Sequence, residues 1–347
     1  YRPNGAHTLA LNIGAESNAP LARNSFVAPR MQNDFVNNLT NEDIYHADLS
    51  YTFRFGNFSG KVSGYYARFN NGVEQTAFYN DDESRFTYLT MTNVEREHYG
   101  VEAAFNYQIT SNFSVKLVGT YGEAKYVNNP DAQVAYEGSN AATLQQLNSW
   151  TNPVTNKTEA TPLFVLANGM RESGSPMGVV SLGFNYNVKG WFLSANLNYY
   201  DRVYIDFSEY RRLSKSVTGY TQDNLDANGN YTWNAKMEDL NDKGGIFYDR
   251  QGNIIDTYSA KQEKAKGGFM LDASIGKYIR LKKGKSLSIN LSVQNITNNR
   301  NLKTGGYEQN RSDNYNTGYP KPYRFSKNSK YYYANAINGF LNIGFKF

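Results

Sequence analysis

Apolar and polar residues alternate along most of this chain. The segment 335–347 reads NAINGFLNIGFKF, with Leu341, Ile343, Phe345 and Phe347 on one parity and Asn342, Gly344 and Lys346 on the other. Successive side chains of a β-strand point to opposite faces, so such a segment has one apolar face and one polar face. The same period recurs at 287–294, 269–279, 191–200, 180–187, 101–109 and 45–55, and near the start Leu9, Leu11 and Ile13 oppose Thr8, Ala10 and Asn12. Two segments are less regular. In 113–126 Val118 interrupts the polar parity, and 58–72 is aromatic without a decisive phase. The pattern predicts ten strands.

The links between these strands alternate in length. Short ones fall at 55–57, 109–112, 188–190 and 281–285, and long polar ones at 19–41, 73–94, 127–173, 209–265 and 297–334. Loops that long are uncommon in compact soluble domains, whereas short turns on one rim and long loops on the other describe an outer-membrane barrel. If the last strand ends at the periplasmic rim, every short link falls on that rim, and 1–7 reads as a periplasmic turn. The polar parity is mostly Ser, Asn, Gly, Thr and Gln, which suits a hydrated lumen; the wet face of a soluble sandwich would carry many Lys and Glu. Lys277 is the charge on the apolar parity, near the periplasmic end, where a long side chain can snorkel. Trp191, Tyr199, Tyr200, Tyr278 and the run Tyr331, Tyr332, Tyr333 stand at strand ends, as interfacial girdles do. The expected fold class is all-β: an antiparallel transmembrane β-barrel with about ten strands present, short periplasmic turns and long extracellular loops.

Composition removes several alternatives. Among the 347 residues are 29 Tyr and 20 Phe but 9 Pro, a balance that favours strands. The absence of Cys rules out disulfides, thiolate chemistry and cysteine-based zinc sites. The net charge of +5 is spread along the chain without a Lys/Arg block, so no nucleic-acid footprint is present. Mean hydropathy is −0.65 and no run of 18 apolar residues occurs, which excludes a membrane-crossing helix but not crossing strands.

Candidate chemistry is sparse. His7, His46 and His98 do not cluster, so no haem or metal ligand set is read; His46 and His98 are expected as hydrogen-bonding lumen or rim residues. The stretch 224–230 resembles part of a calcium loop, but Ala235 stands where the closing Glu belongs, and an Asn/Gly turn is the better reading. Residues 248–253 read as a further tight turn in the same loop. Neither GxSxG nor HExxH occurs, so no catalytic residue and no cofactor is assigned and the chain is not read as an enzyme. Trp150, Arg171, Tyr210, Trp233, Tyr307 and Arg311 are the aromatic and Arg side chains in long loops that suit ligand contact.

Residues 291–311, LSVQNITNNRNLKTGGYEQNR, resemble the penultimate strand and last external loop of TonB-dependent outer-membrane transporters. Residues 331–347 resemble their final strand, 93–126 their "yGvE" hairpin, and 24–54 a loop that leads into a down-going strand. The Bacteroidota type with a carboxypeptidase-regulatory-like N-terminal domain is the nearest, rather than the typical SusC branch. Family barrels have 22 strands. The resemblance therefore implies that this chain is the last ten strands of one barrel domain, with the N-terminal strands, the plug and the TonB box outside it. It implies active import of a scarce ligand (iron–siderophore, haem, cobalamin, peptide or glycan) across the bacterial outer membrane. The partners it implies are outer-membrane lipid, the remaining barrel half and plug, the TonB complex, a possible surface lipoprotein, and the barrel-assembly machinery, for which Phe347 would be the C-terminal signal. A passive porin or adhesin barrel and a soluble β-rich carbohydrate-binding protein are the alternatives.

Overall fold

The computed structural model describes residues 1–31, 33–81, 84–138, 149–151, 158–160, 163–214, 245–248, 254–258, 261–310 and 328–347. Ten long strands follow one another in space as they do in sequence. They are β1 (His7–Asn18), β2 (Glu42–Phe55), β3 (Phe58–Asn80), β4 (Arg85–Gln108), β5 (Phe113–Tyr126), β6 (Gly178–Val188), β7 (Trp191–Asp201), β8 (Gly268–Arg280), β9 (Ser286–Gln294) and β10 (Asn338–Lys346). Each pairs antiparallel with the next, and β1 and β10 are the two edges of the sheet.

The register brings the apolar parities into line. Leu11 lies opposite Leu49, Leu117 opposite Leu182, Leu197 opposite Leu271, Ile275 opposite Leu291, and Leu291 opposite Leu341. A one-residue slip between any two strands would break this row, so the alternation itself fixes the register. One face of the wall is thus a continuous apolar belt, and the opposite face carries rows such as Asn196–Asp272 and Ser194–Ser274. The belt stands bare: Ile13 is 75% exposed and Ile343 63%. An apolar surface this broad on a single chain marks contact with lipid or another apolar phase.

Aromatic rings bound the belt. Phe53, Phe55, Phe58, Phe105 and Tyr107 pack together at the end with the short turns. Tyr66, Tyr99, Tyr121 and Tyr199 mark the other end on the same face. From Tyr99 to Tyr107 the wall runs about 26 Å along the strand, on the scale of the roughly 25 Å apolar band of outer-membrane barrels. Trp191 and Tyr199 lie on the belt register as expected, but Tyr200 and Tyr278 fall on the opposite parity. Tyr331, Tyr332 and Tyr333 belong to a separate pair, Lys303–Glu308 with Ser329–Tyr333, outside the ten-strand path.

One expected loop is a hairpin. Residues 73–94 continue the two strands beyond the belt, β3 to Asn80 and β4 from Arg85. Alternation fails there because both faces are covered: Thr87 to Thr92 are all buried, with Asp131–Tyr136 paired along their edge. The register shifts around Gly72, where Asn71 and Asn93 take positive φ values of 59° and 55°. Asn tolerates this left-handed backbone, and the bulge re-aims the hairpin as it leaves the wall.

The hydrophobic core sits in this outer extension rather than in the wall. Leu89, Met91 and Val94 of β4 pack with Val134, Tyr136, Val165, Ala167, Met170, Phe207 and Leu213. Val27, Ala28 and Val36 from the β1–β2 link form a second cluster with Tyr88 and Ala135. Parts of the β1–β2, β5–β6 and β7–β8 links therefore pack with the β3–β4 extension into a cap beyond the wall.

Candidate functional site at the outer mouth

The inner face of the wall ends, beyond Tyr99, in a cluster of charges beneath the cap. Phe69, Arg96 and Tyr126 lie side by side across three strands, and Ala67, His98 and Ala124 form the next row. The two alanines leave room for the imidazole between them. Below, Gly100 and Gly122 are paired, and the Tyr65 hydroxyl lies over both; a Cβ on Gly122 would stand 2.6 Å from that oxygen.

Arg96 organises the cluster. Its guanidinium meets Glu42 of β2 at 2.9 Å, Glu74 of β3 at 3.2 Å and Glu172 of the β5–β6 link at 3.2 Å. It also lies 5.1 Å from the centre of the Phe69 ring. Glu172 pairs with His98 Nε2 at 3.0 Å, and Tyr126 donates its hydroxyl proton to Glu74 at 2.8 Å. Burial works against the charge on Arg96, but the carboxylates of Glu74, Glu172 and Glu42 outweigh it and hold its pKa up. Burial pushes Glu74 above the ordinary carboxylate value, and the charges of Glu172 and Asp206 add to this. Burial also works to raise Glu172, but His98 and Arg96 prevail and hold it below its ordinary value. The cluster presents several carboxylates around one fixed cation, with donors and acceptors held in place for a polar solute.

The cap above is tied by a second charged pair. Arg212 forks onto Glu308, both side chains being 1% exposed, with one bond at 2.8 Å. Glu308 also accepts the Ser208 amide at 2.8 Å. The β7–β8 and β9–β10 links are thereby clamped together. Glu209, part-buried in the same segment, is pushed up to about 8 by burial, with the charges of Asp206 and Glu74 adding.

On the outer face, just beyond the aromatic boundary, a row of ion pairs runs around the wall. Arg68 meets Glu97 at 2.9 Å and also Glu95, and Lys125 stands 3.7 Å from Glu97. Glu123 takes Arg171 and Arg202, each at 3.1 Å, and Arg202 lies 3.7 Å over the Tyr121 ring.

Of the six loop residues expected to contact ligand, Arg171, Tyr210 and Tyr307 are described, and each has its own set of neighbours. Trp233 and Arg311 lie outside the described residues, as do 224–230, Ala235 and 249–253. Trp150 falls in the short strand Ser149–Thr151, whose side chains are likewise not described. Arg171 belongs to the outer ion-pair row, where it also lies 5.5 Å over Tyr204. Tyr210 packs edge-on against Phe78 at 4.9 Å and accepts a 3.0 Å bond from Asn80, as part of the cap. Tyr307 stands 6.0 Å from Tyr332. His46 sits over Gly14, 3.8 Å from Glu16, and His98 is the pair to Glu172, so both make polar contacts on the inner register. Among the described residues no group of three His, Cys, Asp or Glu has metal-holding geometry. Phe347 follows β10 and packs edge-on against Phe345 at 4.9 Å.

The site residues that matter were hidden in the run at 93–98, NVEREH. Strand parity puts Arg96 and His98 on one face and Glu95 and Glu97 on the other, which is how they are used. The partners Glu42, Glu74 and Glu172 come from distant segments and give no local signal.

No family model and no curated protein matches the sequence. Solved structures do share its fold. The ferric citrate transporter FecA, in its unliganded form, superposes with a TM-score of 0.50 at 12% identity over 99% of this chain and 36% of that one. The siderophore receptor PiuA from Acinetobacter baumannii gives 0.50 at 12% identity over 99% and 34%. The FrpB iron transporter from Neisseria meningitidis, F5-1 variant, gives 0.50 at 12% identity over 99% and 38%. The class that fold and wall define is an antiparallel barrel wall of this kind. The chain spans little more than a third of the length of the structures it matches.

Proposed function

We propose that this chain forms part of the wall and external loops of a TonB-dependent transporter in a bacterial outer membrane, importing a scarce ligand with energy from the inner membrane. The observation that carries the reading is the wall itself. Ten antiparallel strands expose one apolar belt between two aromatic rows and turn a polar face inward. Open edges are not viable in lipid, so β1 and β10 require further strands. The reading places those strands, a plug and the TonB contact in a longer polypeptide of which this is the C-terminal barrel portion. FecA, PiuA and FrpB are described as a ferric citrate transporter, a siderophore receptor and an iron transporter, which favours an iron–chelate ligand within the wider set of siderophore, cobalamin, peptide or glycan. The Bacteroidota subtype rests on the resemblance of 291–311 and 331–347.

Uptake by cells carrying the full-length protein tests the proposal. A labelled ferric siderophore, cobalamin, a peptide and an oligosaccharide are supplied with and without a protonophore. The expected result is saturable uptake of one class that stops when the proton gradient is dissipated. Uptake of small solutes that ignores the protonophore would replace the energised mechanism with a passive porin.

A further inference from the structure

The short-turn end of the wall has a one-sided charge. No Asp or Glu occurs in 173–200 or in 273–307, while Lys189, Lys277, Lys282, Lys283 and Lys285 stand at or beside the two turns that these stretches contain. Four of these lysines project from the rim, and Lys277 alone stands on the belt register, opposite Trp191. Its ammonium lies 4.6 Å over the Trp191 ring and donates a 2.9 Å bond to the Lys189 carbonyl. An ammonium has three donors, so two remain for an acceptor outside the protein.

Directly toward the middle of the belt is a groove of about 360 Å³. It exists because Ala195 and Ala273 are register partners, two methyl side chains between larger neighbours. Phe184, Leu193, Ile275 and Leu291 wall it. Lys277 is four residues from Ala273 along β8, about 13 Å. A cation at the rim and an apolar hollow two register rows further along the strand match the two ends of a lipid.

We propose that this groove and the lysines beneath it bind one anionic phospholipid of the periplasmic leaflet. One acyl chain lies in the trough over Ala195 and Ala273, and the phosphate accepts from Lys277, with Lys189 adding to the local field. A zwitterionic headgroup brings its own ammonium beside two turns that carry lysines and no Asp or Glu, so an anionic one is preferred. This inference rests on the outer-membrane reading above.

Native mass spectrometry tests it. The full-length protein is extracted from outer membranes in detergent, stripped of lipid, and titrated with dioleoyl phosphatidylglycerol or dioleoyl phosphatidylethanolamine. The expected result is retention of phosphatidylglycerol with a preference of about five-fold or more, the effect of one well-placed cation. Lys277→Gln removes that preference, and Lys189→Gln reduces it. Ala273→Leu weakens both lipids while keeping their ratio. Circular dichroism of each variant confirms that the wall is folded. Equal retention of the two lipids, or a groove covered by a second copy of the protein with no lipid bound, overturns the inference. Release of the protein from cells without detergent is a different result and overturns the membrane reading itself.

Discussion

At the residue scale, Arg96 is the joint of the outer mouth. Its three carboxylate partners come from β2, β3 and the β5–β6 link. Arg96→Met leaves them facing one another, and because each side chain keeps about a quarter of its surface in water the loss is about 1–3 kcal/mol rather than a fully buried pair's. Reduced hydrogen-exchange protection at 170–173, with the belt strands unchanged, is the expected readout. The pH dependence has two signs. Glu172 is held below its ordinary 4.5, so its tie to Arg96 and His98 is fully present above that pH and fades as pH falls through the lower folded value. Glu209 is pushed from 4.5 up to about 8, so folding of its segment is favoured in acid and progressively opposed as pH rises from 4.5 to 8. Protection of 203–213, corrected for intrinsic exchange, should therefore fall across that window. Glu209→Gln should flatten the curve and stabilise the segment at pH 8. Parity made Arg96 and His98 readable as neighbours, but nothing in their surroundings announced Glu172, 74 residues away from His98. A site assembled by tertiary folding of loops is illegible in the loops themselves.

At the scale of elements, the β3–β4 extension is the part that most changes the picture. It converts parts of the long links into a folded cap with its own core. Leu89 is fully buried in that core. Leu89→Ala should cost about 2–5 kcal/mol of cap stability and expose 163–177 to limited proteolysis, while β6 to β10 stay resistant. Resistance of 163–177 in that variant would mean that the cap does not depend on this core. The wall strands were legible because each has one apolar and one polar face, which imprints a period of two. The hairpin was not, because Thr87 to Thr92 are buried on both sides and carry no alternation. The Asn71 and Asn93 positions that bend it read, in sequence, as ordinary loop asparagines.

At the scale of the whole molecule, the belt is the central claim. Many of its apolar residues are exposed and the rest are half-buried, while among the described residues the buried apolar side chains lie in the cap or links, which inverts the plan of a soluble domain. At about 25 cal/mol per Å² of apolar surface, such a belt is costly in water and calls for an apolar neighbour, which the proposal takes to be lipid. This stretch carries no Cys of its own to compete with single introduced thiols, and any Cys elsewhere in the full-length protein is first replaced by Ser. Leu182→Cys, Leu197→Cys and Leu291→Cys lie on the belt, and Ser181→Cys, Asn196→Cys and Asn290→Cys lie on the facing register. Each is labelled with an environment-sensitive fluorophore in the full-length protein in vesicles, and quenched by a lipid-attached spin label or by aqueous iodide. Quenching that alternates, lipid for the belt positions and iodide for the others, is the predicted result. Iodide quenching of both sets alike would contradict the account, because the wall would then stand in water.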